Sequence, residues 1–272
     1  MKPLSKIYLI VIFGILYIPI LTLIFFSFNS SNSTAVFTGF SLMWYKELFN
    51  SPETFTALRN SLILAASSAL ISTVIGTAAA EGIYKMRSKL MKVTITSVTN
   101  IPMMNPDIVT GMSMMLFFVA AAGVIGAEYE DIGFVAMLIA HTTFCLPYVI
   151  LSVLPRINEL GDSLSEAALD LGCTPLQAFF KVKLPNIMPG VLSGMLMAFT
   201  MSLDDFVISY FVGSSRFQTL PLLIYSMTKK KVTPDMYALS TLIIVTIFVL
   251  LIASNVKSGK KLESRRKRGT AK

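Results

Sequence analysis

Three aspartates stand inside stretches of sequence that otherwise carry no charge. Asp107 lies within residues 98–122, and the adjacent Asp204 and Asp205 lie within residues 187–212. A carboxylate near the centre of a bilayer costs about 2.5–3.5 kcal/mol on insertion scales, so it normally faces a bundle interior or a watered path. Such a path suits a cation, because a protonated amine leaving water needs carboxylates to replace its lost hydration. On a helix through residues 187–212, Ser202, Asp205 and Ser209 would share one face, and Thr200 would pair with Asp204 one turn on. Adjacent aspartates repel unless a cation is near. No Lys, Arg or His occurs in that run. The neutralising group is therefore a passing cation, a partner from a second subunit, or water near the exterior.

Asp107 follows Pro102 and Pro106. Each proline removes a helix donor, and a span broken there is tolerated only where it is buried in protein or lines a cavity. Trp44, the only tryptophan, fits either an interfacial belt or a cation–π contact beside a cation path. His141 and Cys145 share a helix face, but two potential ligands do not make a metal site. His141 reads instead as a core histidine hydrogen-bonded between helices, and no metal is expected. The one Gly-Lys pair, Gly259-Lys260, has Ser254 where a phosphate-binding loop needs its first glycine. With no other catalytic constellation, the chain is not expected to be an enzyme by itself.

The elements that position these groups follow from composition. The chain has 272 residues, 54% hydrophobic and only 14% charged, where soluble domains are nearer a quarter charged. Six apolar runs, at 7–28, 61–80, 98–122, 132–154, 187–212 and 237–254, approach the roughly 20 residues a helix needs to cross a membrane. They are continuous rather than alternating, which excludes a barrel and predicts an all-α integral membrane protein with six transmembrane helices. The first run is too long for a signal peptide and lacks a small-residue cleavage site, so it is expected to remain. A six-span domain over 1–256 and a basic tail over 257–272 result.

Six spans put both termini on one side. That side carries seventeen Lys and Arg against six on the other, which places both termini in the cytoplasm. Without the tail the margin is nine against six, and Lys229 to Lys231 count against it. The net charge of +8 needs no nucleic acid, since a basic tail beside a final span contacts anionic lipid. Cys145 and Cys173 are not expected to pair, because one lies in a span and the other in a reducing compartment.

Residues 156–185 are too polar to span and have their own helix signals. Ser163 with Glu166 reads as a capping box, and Leu164, Ala167, Ala168 and Leu171 then form one apolar face. Gly172 supplies a left-handed stop, and Thr174-Pro175 with Gln177 starts a second helix that Pro185 ends. A DNA-reading helix-turn-helix needs a basic recognition helix, yet this loop carries four acids against three bases. An amphipathic segment lying on anionic lipid has the wrong charge as well. Docking on a soluble protein remains.

The spacing Glu166-Ala167-Ala168, three residues, Gly172, nine residues, Val182, one residue, Leu184-Pro185 resembles the cytoplasmic EAA loop of ATP-binding-cassette importer permeases. Val182 stands where that pattern usually has isoleucine. Further segments from the first span to the last are similar to the second permease subunit of spermidine/putrescine importers. They include Tyr17-Ile18-Pro19, Met104-Asn105-Pro106-Asp107, His141 to Pro147, Ser202-Leu203-Asp204-Asp205 and Leu220 to Met227. The resemblance implies that Glu166 and Gly172, supported by Ala167, Ala168, Leu184 and Pro185, dock on an ATPase subunit. It implies that Asp107, Ser202, Asp204 and Asp205 belong to a translocation path. It also implies a homologous second permease, two ATPase subunits that bind the ATP and Mg, and an extracytoplasmic polyamine-binding protein, all at a bacterial inner membrane. A secondary cation transporter or channel would explain the acids but not the loop. A membrane scaffold would explain the loop but not the acids.

Overall fold

The computed structural model describes residues 3–31, 36–230, 235–246 and 248. The chain divides into two compact units, Met1–Thr56 with Leu223–Lys272, and Ala57–Leu222. Among the described residues the structure is helical, and its one β feature is an isolated bridge between Asn29 and Phe40.

In the first unit, α1 (Pro3–Phe26) is apolar on every side, and none of Tyr8–Phe26 is buried by the chain itself. A helix apolar all round with no protein over it is one that lipid or a partner chain must cover. The chain then turns on the buried side chain of Asn29. Its Nδ2 donates to the Val36 carbonyl at 2.8 Å, and its Oδ1 accepts from the Thr38 amide at 2.9 Å. α2 (Met43–Asn50) follows and carries Trp44 inward.

α3 (Pro52–Lys85) leads into the second unit. α4 (Lys89–Met104) starts at Ser88, whose hydroxyl accepts from the Met91 amide, and stops where Asn105 and Pro106 turn extended. The third span is thus α5 (Asp107–Ile125) rather than 98–122. Pro106 fixes its start, because it disfavours helix at Asn105 and cannot donate to the preceding turn, whereas Pro102 is accommodated inside α4. Asp107 is consequently the first residue of α5, not a mid-span residue.

α6 (Tyr129–Leu160) is the central element, with a buried face running through Met137, His141, Phe144, Cys145 and Val149 at helical spacing. Against it lies α9 (Leu184–Asp204). Between the two the chain forms α7 (Ser163–Asp170), a turn at Gly172, α8 (Pro175–Ala178) and a π-helical turn (Phe179–Lys183). The backbones of α6 and α9 approach closely at Gly190, where an added Cβ would sit 2.9 Å from the Ser152 carbonyl. Helices in lipid gain little from the hydrophobic effect, so small residues that permit close packing take its place.

The fifth apolar run is also interrupted. α9 stops at Asp204, Asp205 is extended, and a short α10 (Val207–Val212) resumes after Phe206. α11 (Leu220–Lys230) and the apolar α12 (Asp235–Thr246) follow. Among the described residues five helices are long and apolar enough to cross a membrane. The expected sixth run, 237–254, is represented by α12. Its remainder beyond 248 and the basic tail 257–272 lie outside the described residues.

Candidate functional site

The break between α9 and α10 gathers polar groups from four helices. His141 of α6 is fully buried, with Nδ1 2.8 Å from the Ser202 hydroxyl and Nε2 3.2 Å from the Ser209 hydroxyl. The same Nε2 lies 3.6 Å from Oδ2 of Asp205. Ser68 of α3 joins through a 2.9 Å contact between its hydroxyl and that of Ser202. The Asp205 carboxylate also accepts the Ser209 amide at 2.9 Å and the Ile208 amide at 3.4 Å. It therefore caps the first turn of α10, where unpaired amides and the positive end of the helix dipole favour an anion.

This arrangement corrects the reading of residues 187–212 as one helix. Ser202, Asp205 and Ser209 do converge, but across an unwound junction and around His141, not on one continuous helical face. Thr200 does not pair with Asp204; its hydroxyl donates to the Leu196 carbonyl at 2.9 Å. His141 is the interhelical core histidine its sequence context indicates. Its tie to Asp205 spans 64 residues and leaves no local trace in the sequence.

Asp204 and Asp107 are exposed in the single chain, unlike Asp205. α5, which begins at Asp107, packs against α10, which follows Asp205, with the Phe211 ring over Gly111. Four of the expected path residues, Asp107, Ser202, Asp204 and Asp205, thus belong to one neighbourhood. α10 is fastened at its far end too, by the Tyr129 hydroxyl donating to the Val212 carbonyl at 2.7 Å. Beyond it, Glu130 accepts from the Ser215 amide and hydroxyl, and Arg216 pairs with Asp131.

Trp44 belongs to the first unit. Its ring is buried, and its Nε1–H donates to the Asn29 carbonyl at 2.6 Å. That favours packing over a platform for a cation.

In the 156–185 segment, Gly172 has φ +84°, a left-handed conformation in which a side chain is strained. Thr174 and Gln177 form the reciprocal capping box, with Pro175 at the head of α8. The first helix differs from expectation. Asp162 precedes it, and no side chain caps it, so Ser163 is already helical. Pro185 does not end the second helix either. The Leu184 amide bonds to the Phe179 carbonyl five residues back, and the chain passes through this π turn directly into α9 with Pro185 in its first turn. A proline there needs no intrahelical donor. Of the expected apolar face Leu164, Ala167, Ala168 and Leu171, only Ala168 is buried; Leu171 is 86% exposed and Leu176 of α8 72%.

Residues 72–259 match the protein family described as "Binding-protein-dependent transport system inner membrane component". The chain belongs to that family. Its curated relatives include the Escherichia coli (strain K12) "Putrescine transport system permease protein PotI", 41% identical over 85% of this chain and 82% of that one. The Haemophilus influenzae "Spermidine/putrescine transport system permease protein PotC" is 37% identical over 93% and 95%. Among solved structures, a bacterial transporter that imports the acidic polysaccharide alginate superimposes with a TM-score of 0.76, at 16% identity over 94% of both chains. The methionine transporter MetNI gives 0.61 at 21% identity, over 75% of this chain and 95% of that one. At such identities the likeness speaks for the fold, which is that of an importer permease. Within this permease the site residues that sequence reasoning missed are Ser68 and the His141 link to Asp205. No charge pattern marks a serine or a histidine whose partners come from other helices.

Proposed function

We propose that this permease is one membrane-embedded half of an ATP-driven polyamine importer, with spermidine and putrescine as its substrate class. The observation that carries the substrate is the acidic neighbourhood of Asp107, Asp204 and Asp205 at the helix breaks. Among the described residues the only basic side chain paired with any of the three is His141. An alkyl polyamine presents protonated amines that such carboxylates would solvate. Relatives at 41% and 37% identity named for putrescine and spermidine/putrescine transport favour the same class.

The six apolar runs are read as six spans, and the Lys and Arg count then places both termini in the cytoplasm. Glu166, Ala167, Ala168, Gly172, Leu184 and Pro185 form the coupling loop between the fourth and fifth spans. Its exposed Leu164, Leu171, Leu176 and Phe180 offer apolar surface that the chain itself does not cover. That surface supports docking on an ATPase subunit, which would supply the bound ATP and Mg. A homologous second permease, a second ATPase and an extracytoplasmic binding protein complete the assembly.

ATP binding would close the ATPases and draw the two loops together, and the spans would rock to open the acidic path outward. Asp204 and Asp107 face the path, Asp205 and Ser202 fix its geometry, and Trp44 supports the turn after α1. The test is reconstitution of the complete complex. Asp204→Asn should lower polyamine-stimulated ATP hydrolysis, and Glu166→Ala should weaken ATPase association. Uptake and association left intact by Glu166→Ala would sink the importer reading.

A further inference from the structure

We propose that α3 is the rod that carries motion of the coupling loop to the acidic junction, with Glu81, Tyr84 and Lys183 as its lower joint. The inference rests on the docking role given to that loop. Lys183 closes the π-helical turn, and its side chain is only 3% exposed. Its Nζ lies 3.0 and 2.9 Å from the two carboxylate oxygens of Glu81 on α3, and Lys85 adds a second cation 3.1 Å from that carboxylate. The same Nζ sits 4.4 Å from the centre of the Tyr84 ring, with Lys92 of α4 at 5.3 Å. One turn of α3 thus grips the loop at the end where it enters α9.

The pair joins residues 102 apart in sequence, so it fixes tertiary position and not local helix. A buried ion pair is poor evidence for stability, since desolvation offsets most of its attraction, and one of its attested uses is to fix a register. A π turn is likewise a register shift within a helix, and such turns occur frequently at functional sites. The upper end of the rod is Ser68, about 20 Å from Glu81 along the helix axis. Its hydroxyl meets Ser202, which meets His141 beside Asp205. Displacement of the loop is therefore delivered to the acidic junction by α3 as well as by α9.

The test uses the assembled complex, comparing the wild-type chain with Glu81→Gln, Lys183→Met, the double variant, Tyr84→Leu and the conservative Lys183→Arg. ATPase copurification, basal hydrolysis and polyamine-stimulated hydrolysis are measured for each. For Glu81→Gln and Lys183→Met the expected result is retained association and basal rate with stimulation lost, and partial recovery in Lys183→Arg. Should a single variant leave a buried charge unpaired and fail to assemble, the double variant and Tyr84→Leu decide. Stimulation lost in the double variant and reduced in Tyr84→Leu, which removes the ring beneath Lys183, supports the joint, and stimulation at the wild-type level in either overturns it. A wild-type complex that never couples hydrolysis to polyamine would instead overturn the functional reading, a result distinct from any variant effect.

Discussion

Nε2 of His141 lies 3.6 Å from Oδ2 of Asp205 at the point where α9 gives way to α10, with the histidine fully enclosed and the carboxylate nearly so. The carboxylate is also held by two α10 amides. Asp204, its neighbour in sequence, projects outward and is exposed. In the proposed importer the two adjacent acids divide the work, Asp205 holding the junction and Asp204 meeting what passes.

That division predicts different phenotypes at the two positions. Asp205→Ala removes the acceptor that caps α10, a loss of about 1 kcal/mol of the kind measured for helix caps. Asp205→Asn keeps an acceptor and most of that stability. Asp204→Ala leaves stability unchanged and lowers polyamine-stimulated hydrolysis. Thermal unfolding of the purified complex beside its ATPase rate separates the three; equal unfolding temperatures for Asp205→Ala and Asp204→Ala would contradict the assignment.

Replacing His141 tests the same junction from the α6 side. His141→Leu leaves Ser202, Ser209 and Asp205 short of a buried partner, at about 1–3 kcal/mol for an unsatisfied group. His141→Gln restores a donor and an acceptor and recovers part of the loss. Chemical denaturation in detergent measures it, and a Leu variant as stable as the Gln variant would mean the histidine only fills space.

Much of this architecture is legible in the residues. Gly172 and the Thr174–Gln177 box set the turn and the start of α8 as their types require, because each acts within four residues. Pro106 breaks its helix for the same local reason. The departures are tertiary. No Pro or Gly marks the stop at Asp204, and the unwinding there is offset by bonds to His141 and to α10. Pro185 reads as a terminator until the π turn before it lets the helix continue. Ser163 reads as a cap, yet Asp162 takes the preceding position.

The α6–α9 contact predicts sensitivity at Gly190. A Cβ there would meet the Arg156 side chain at 2.6 Å and the Ser152 carbonyl at 2.9 Å. Only the arginine can move aside easily, so Gly190→Ala destabilises by about 1–3 kcal/mol, the usual cost of overpacking. Gly190→Leu is expected to reduce membrane accumulation of the folded chain. Expression at the wild-type level with an unchanged unfolding midpoint would show that the helices can part at no cost.

Gly172 makes a conformational prediction free of contacts. Its φ of +84° has open space where a side chain would project, so any penalty is backbone strain. Gly172→Val should cost roughly 1–2 kcal/mol in the left-handed region, whereas Gly172→Asn, which visits that region more readily, costs less. The readout is ATPase copurification, ranked Gly, then Asn, then Val; a different order would place the sensitivity elsewhere than in the turn.

The outer face of the same loop gives the opposite signature. Leu171 and Leu176 are 86% and 72% exposed, so replacing either in the isolated chain should move stability by no more than about 0.5 kcal/mol. At a docked interface a buried apolar anchor carries a large share of the binding energy, and Leu176→Glu would bury an unpaired charge there. The expected outcome is an unchanged unfolding midpoint for the chain alone with loss of the ATPase from the purified complex. Because stability and association move independently, the pair of measurements identifies a contact surface rather than a folding defect. An ATPase that copurifies in wild-type amount with both Leu171→Glu and Leu176→Glu would remove this face from the interface.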